Sequence, residues 1–201
     1  MDSTNKPNRD TVQTLEWYEH IRLNVEKYIG KIGDGSSLDD GIYTLLKGLI
    51  DSSADEFEMG YAKGLEIEIS GLTVSLREYG RGIPLKSVVS ATSGISVGIG
   101  TKKDDVITNG YKVANALAEE FLVISYRNAE RSWALYSKGV LADQKTEEDK
   151  NQEPDGTLVK FTLDKELFPN SYYRQEIVND IVKQYAEKYK GFSIILNGVK
   201  L

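Results

Sequence analysis

Two short runs hold the residues best able to do chemistry together. The first, DSSADE at residues 51–56, sets Asp51, Asp55 and Glu56 close together; the second, EYGRGIP at 78–84, places Glu78 and Arg81 among Gly80, Gly82, Ile83 and Pro84. Taken alone, the first run is a solvated helix face, as most charged helix positions are, and the glycines of the second supply only turn geometry. In succession, a carboxylate-rich helix and a glycine-framed cation point instead to the walls of a pocket. Other chemistries are excluded more simply. The chain has no cysteine, which removes disulfides, thiolate metal sites and cysteine nucleophiles. His20 is its only histidine, so a His-rich zinc site is ruled out and a Ser-His-Asp triad could be built only on His20, which reads as a helix-end residue. With 25 Lys+Arg against 31 Asp+Glu, a formal charge of −6 and a pI near 5.0, nothing in the balance marks a surface for gripping phosphate backbones.

The elements that must position these residues are legible as periodicity. Between residues 39 and 61, Ile42, Leu45, Leu46, Leu49, Ile50 and Phe57 recur at helical spacing, with Ser36, Ser37 and Asp39 available as N-terminal caps. Gly48 is out of place there, because glycine in a helix interior costs about 1 kcal/mol relative to alanine. Leu65, Ile67 and Ile69, then Leu72, Val74 and Leu76, alternate with polar residues around Ser70 and Gly71, the pattern of a β-hairpin with one buried face. A helix is predicted over 111–119, strands over 121–127, 132–141 and 157–163, a second long helix over 172–189 with Tyr173, Ile177, Ile181 and Tyr185 on one face, and a last strand over 192–196. Residues 1–14 read as a flexible arm, and the polar, acidic stretch 142–155 as a solvated loop. Hairpin-joined strands with helices gathered early and late favour an α+β sandwich over a parallel doubly wound sheet. No stretch approaches the roughly 20 apolar residues of a membrane helix, and the N-terminus has no apolar signal core, so the expectation is a cytoplasmic protein without membrane contact.

The order of motifs resembles the ATPase domain of type IIA topoisomerase B subunits, the gyrase and topoisomerase IV branch of the GHKL superfamily. EHIR at 19–22, YIG at 28–30, GDGSS at 33–37, DDGIY at 39–43, DSSADE at 51–56, GRGIP at 80–84, NAL at 115–117 and GT at 156–157 fall in the order that family would give. The resemblance spans residues 15–201 and implies a GHKL (Bergerat-type) two-layer sandwich, a mostly antiparallel sheet with helices on one face. It implies ATP and Mg²⁺ as cofactors. It also implies nucleotide-binding positions at Asp51, Ser52, Asp55, Glu56, Glu78, Gly80, Arg81, Gly82, Ile83, Pro84, Gly110 and Thr157.

Several of those positions depart from the family pattern. A helix glutamate serves the family as general base and an asparagine four residues later binds magnesium, one face of one helix carrying both. Here Gly48 and Ser52 stand in those places. Glycine has no side chain, and Ser52 is left as the metal candidate with one short hydroxyl for an ion that dehydrates reluctantly. Glu78 replaces the aspartate that accepts from the adenine amino group, and Thr157 matches the threonine supporting it. Glu56 and Arg81 match a salt bridge at the pocket mouth. The glycine-rich phosphate lid aligns with residues 105–110, where Gly110 alone remains and Asp104 and Asp105 bring negative charge, while Gly94, Gly98 and Gly100 keep the preceding stretch flexible. The expected function is thus a stand-alone topoisomerase-B-like ATP-binding domain with weakened nucleotide binding, impaired hydrolysis and no assigned catalytic residue. The alternative is a non-catalytic interaction or regulatory protein that forms a homodimer or pairs with a true topoisomerase subunit. Ending at Leu201, the chain is expected neither to contact DNA directly nor to cleave it.

Overall fold

The computed structural model describes residues 15–94 and 104–201. The expected arm at 1–14 and the lid residues Gly98, Gly100, Lys102 and Lys103 lie outside them. The chain opens with two short helices, α1 (Trp17–Leu23) and α2 (Val25–Ile29), and then runs into the long helix α3 (Gly41–Glu58). Of the polar residues before α3, none of the three expected caps is the boundary residue. Asp40 is, and its carboxylate turns back, Oδ2 accepting from the Gly35 and Ser37 amides at 2.9 and 3.2 Å. The loop thereby gains a buried anchor and the helix forgoes a side-chain cap. Ile42, Leu45, Leu46, Leu49, Ile50 and Ala54 form the buried stripe of α3, as their spacing predicts.

The hairpin β1 (Gly64–Ser70) and β2 (Thr73–Glu78) follows, then a turn of 3₁₀ helix at Leu85–Ser87, α4 (Val88–Thr92) and α5 (Asp104–Leu117). Strands β3 (Ala118–Arg127), β4 (Glu130–Ser137), β5 (Val140–Glu148) and β6 (Gly156–Leu163) come next, then α6 (Gln175–Lys188), β7 (Ser193–Leu196) and β8 (Val199–Lys200). They make one eight-stranded sheet in the order β5-β4-β3-β6-β2-β1-β7-β8, antiparallel throughout except where β1 pairs with β7. This is the expected α+β class. Inward-facing Leu65, Ile67, Val74, Leu76, Phe121, Val123, Val159 and Phe161 share one core with the buried stripes of the helices. Among the described residues no helix is long and apolar enough to cross a membrane.

Three expectations need correction. The expected loop over 142–155 is a strand as far as Glu148, and the single expected strand 132–141 is a hairpin whose turn at Lys138 and Gly139 has φ of 50° and 86°. The pairing of β5 along β4 is made by backbone, and nearly all of its side chains are exposed, so an edge strand wet on both faces leaves no alternation to read. Second, α5 begins at Asp104, so residues 105–110, aligned above with a glycine-rich loop, are helical; with one glycine left in six, nothing holds that stretch out of a helix. Third, Tyr173 lies before α6, whose buried stripe is Val178, Ile181 and Val182.

Candidate functional site

Helix α3 carries the site along one flank. At its middle, Gly48, Asp51, Ser52 and Asp55 line a cleft of about 220 Å³ whose other walls include Tyr28, Thr44 and Gly110. Among the described residues, a Cβ placed on Gly48 would meet no atom within 4 Å outside its own helix backbone, so packing by these residues does not demand the missing side chain. Gly110 differs: a Cβ there would stand 3.2 Å from the Gly48 carbonyl oxygen, so α5 passes close to α3 at this point. Ser52 is buried and its hydroxyl donates back to the Gly48 carbonyl at 3.1 Å. Asp51 is turned toward α6, accepting from the Tyr185 hydroxyl at 2.6 Å; burial, then that carboxylate, push the Tyr185 pKa up. Among the described residues no group of three or more His, Cys, Asp or Glu side chains could hold a metal ion. Ser52 offers one neutral hydroxyl oxygen, a weaker magnesium ligand than a carboxylate, with the Asp51 and Asp55 carboxylates lining the same cleft.

Two turns further along α3, Glu56 meets the second run. Arg81 grips it with two bonds, Nη2 to Oε1 at 2.7 Å and Nε to Oε2 at 3.1 Å, and the Tyr61 ring covers the guanidinium 3.6 Å away. Glu78 ends β2 directly opposite Thr157 on β6, whose hydroxyl acts to lower its pKa. The Glu78 side chain is only 5% exposed, and Oε1 has no hydrogen-bond partner among the described residues. Burial above all, with Glu56 as a like charge, lifts the Glu78 pKa to about 7 against the pull of Arg77, Thr157 and Arg81.

Glycines make room for this carboxyl. A Cβ on Gly80 would sit 1.9 Å from Glu78 Oε1. Gly82, at φ 68°, passes so close to β3 and β6 that a Cβ would lie 2.8 Å from the Gly156 carbonyl, the Ser125 hydroxyl and the Tyr126 carbonyl. The turn is tied down further along: Ser125 Oγ donates to the Ile83 carbonyl at 2.6 Å, Arg127 reaches the Gly82 carbonyl at 3.3 Å, and Pro84 leads into the 3₁₀ turn.

The fold therefore gathers Glu56, Glu78, Gly80, Arg81 and Thr157 near the C-terminal end of α3 and Gly48, Ser52, Asp55 and Gly110 along its middle. Asp51 lines the same cleft while accepting from Tyr185 of α6, and Ile83 and Pro84 brace the turn through backbone. Sequence reasoning missed Tyr61, Ser125 and Tyr185 at these groups, whereas Tyr111 is expected, with Tyr79 and Ile107, as a side chain able to fill the cavity beside Gly48, Ser52 and Glu78. Tyr111 is buried in α5, and burial followed by Glu78 and Glu56 drives its pKa upward. Its position directly after the retained Gly110 was the one available signal. His20 pairs through Nδ1 with the Tyr28 hydroxyl at 2.8 Å, so the only histidine touches a residue of the cleft wall. The Glu78 Oε1, set beside a threonine and a glycine turn, is a buried acceptor without a hydrogen-bond partner among the described residues.

Comparison with known proteins narrows what such a site descends from. The chain is 42% identical over 191 residues to the DNA topoisomerase 4 B subunit of Borreliella burgdorferi, covering 92% of this chain and 31% of that protein. It is 27% identical over 202 residues to the DNA gyrase B subunit of Archaeoglobus fulgidus, again covering 92% of this chain and 31% of the relative. The chain thus spans about a third of the length of these curated relatives. In fold it matches the 43K ATPase domain of Thermus thermophilus gyrase B, solved with an aminocoumarin, with a TM-score of 0.74 and 21% identity over 93% of this chain and 50% of that one. No protein-family model matches.

Proposed function

Because this chain is homologous over 92% of its length to topoisomerase IV and gyrase B subunits and has the fold of a gyrase B ATPase domain, we propose that it is a nucleotide-binding module of that type in which ATP is held weakly and its hydrolysis is slow or absent. One observation carries the reading: at Gly48, where a base would face the cleft, the helix presents bare backbone. Binding rests on the C-terminal end of α3. There Glu78 and Thr157 offer a polar floor for an adenine edge, and the Arg81–Glu56 pair with Tyr61 forms a rigid wall beside it. Loss of a positioned base alone reduces turnover by about 10²–10⁴-fold.

Isothermal titration of the chain with ATP, ADP and a non-hydrolysable ATP analogue, with and without magnesium, tests the binding. Phosphate release measured in parallel tests the hydrolysis. Weak heats with all three ligands and little magnesium dependence are expected. The absence of heat at high protein concentration sinks the binding claim, and magnesium-dependent turnover that is lost in Ser52→Ala sinks the claim of impaired chemistry.

A second reading, that the fold serves as a non-catalytic partner for another copy or for a complete topoisomerase subunit, is favoured by Tyr111. Its buried phenol lies close enough to Glu78 and Glu56 to feel both charges. Sedimentation with and without a topoisomerase B subunit distinguishes the two, since a monomer indifferent to that subunit contradicts the partner reading.

A further inference from the structure

Glu78 is the one group of the site whose surroundings conflict with its chemistry. Its carboxyl is 5% exposed, Thr157 serves one side of it, and Oε1 stays without a partner among the described residues. An anion in that position lacks solvation and has Glu56 of α3 as a like-charged neighbour. The nearby cations are mostly committed elsewhere. Arg81 is bound to Glu56 through two nitrogens, and Arg77, on β2 itself, donates to the Glu78 and Pro154 carbonyls while its guanidinium lies 4.6 and 4.7 Å from the Tyr79 and Tyr126 rings. Among the described residues, α5 brings the neutral Tyr111 phenol near it, and β6 the Thr157 hydroxyl. A buried acceptor left unmatched is destabilising, the more so when charged. That cost is removed either by a proton on Oε1 or by a ligand that donates to it.

We propose that Glu78 is a proton-linked selector of the bound base: ionised, it accepts from a 6-amino purine, and protonated, it offers Oε1–H to a 6-oxo purine. The inference rests on the nucleotide-binding reading above and adds to it a preference that changes with pH. Binding of the amino base to the protonated form releases one proton from the carboxyl to solvent, and the base's N–H takes the place of that proton as partner of Oε1. A 6-oxo base needs no release, since its carbonyl accepts the proton where it already is. A carboxylate one methylene shorter and open to water would remain ionised through neutral pH and show neither effect. Burial of the longer side chain against Gly80 brings the change into the neutral range, the carboxyl titrating at about 7.

The test compares ATP with inosine triphosphate, which presents a carbonyl at the same purine position, by calorimetry at pH 6, 7 and 8. The ionised fraction of a group titrating near 7 rises from about one-tenth to about nine-tenths across that range, so ATP affinity should increase roughly tenfold and inosine triphosphate affinity should fall by a similar factor. Glu78→Gln, an isosteric amide with no titration, should bind both ligands with pH-independent affinity. A ¹³C-carboxyl titration by NMR of the unliganded protein, assigned by loss of the signal in Glu78→Gln, reads the same group without any nucleotide. Nucleotide binding with flat affinity from pH 6 to 8, equal pH slopes in wild type and Glu78→Gln, or a Glu78 carboxyl titrating in the ordinary range each overturns the selector while leaving nucleotide binding intact. No binding of either ligand at any pH removes the nucleotide reading and the selector with it.

Discussion

Gly48 allows the sharpest test, because geometry and chemistry give separate answers there. Glycine in a helix interior costs about 1 kcal/mol relative to alanine, and a Cβ at position 48 would meet no atom of the described residues within 4 Å outside its own helix backbone. Gly48→Ala should therefore stabilise the protein by nearly the whole propensity difference. For a domain of this size the melting temperature should rise by roughly 2–4 °C. Gly48→Glu gains somewhat less, because glutamate lies three positions before Asp51 and like charges at that spacing cost about 0.2–0.5 kcal/mol. Its carboxylate, however, emerges into the cleft lined by Ser52 and Gly110. If the cleft holds the terminal phosphate, phosphate release should accelerate, up to the 10²–10⁴-fold that a positioned base supplies. Gly48→Gln reproduces the size and helix propensity without the base and sets the baseline. Thermal melts and steady-state phosphate release on the three variants separate the claims. Destabilisation of Gly48→Ala would refute the steric reasoning, while Gly48→Glu no faster than Gly48→Gln would refute the assignment of that helix face to catalysis. Gly110→Ala is the internal contrast: its Cβ would press on the Gly48 carbonyl at 3.2 Å, so it should gain less than Gly48→Ala or lose stability.

Other consequences follow from the same structure. Glu78 binds its proton more tightly folded than unfolded, with a pKa near 7 against an ordinary 4.5. The native state then holds more protons than the unfolded state between those values, and stability should fall as pH rises through that window, by a total on the order of 3 kcal/mol. Urea unfolding from pH 4.5 to 8 measures this, and Glu78→Gln should flatten the slope. Gly82→Ala adds a Cβ 2.8 Å from two backbone carbonyls at φ 68° and should cost more than 1 kcal/mol, read as a lower urea midpoint at unchanged m-value. Arg22→Ala removes a guanidinium 2.5 Å from the buried Asp164 carboxylate. Lys138 remains 3.1 Å away as a second partner, so the loss should be about 2–3 kcal/mol, below the 3–5 typical of a fully orphaned buried charge.

Much of the scaffold was legible because its periods are unambiguous. The α3 stripe and the β1–β2 alternation fall where their spacing puts them, since each buries one face against the core. The edge strand β5 escaped because a strand that buries neither face carries no pattern. The early start of α5 escaped because the alignment of residues 105–110 with a glycine loop outweighed their own helix-permitting composition. The pairing of Glu56 with Arg81 was read from the order of motifs, whereas Tyr61 was not, since an aromatic residue gives no local sign of which carboxylate or cation it will lie beside.

What the sequence determined by itself is the set of chemical groups: a helix with glycine at 48 and serine at 52, and a carboxylate beside a Gly-Arg-Gly turn. Those are properties of residue type and order, fixed before any folding. Only the tertiary structure decided how the groups behave. The protonation of Glu78 depends on how completely β2, β6, α3 and α5 exclude water from one carboxyl, and the room at Gly48 among the described residues depends on α5 passing on the side of the Gly48 carbonyl and away from the missing side chain. Desolvation and close approach are sums over segments distant in sequence, so no local pattern contains them.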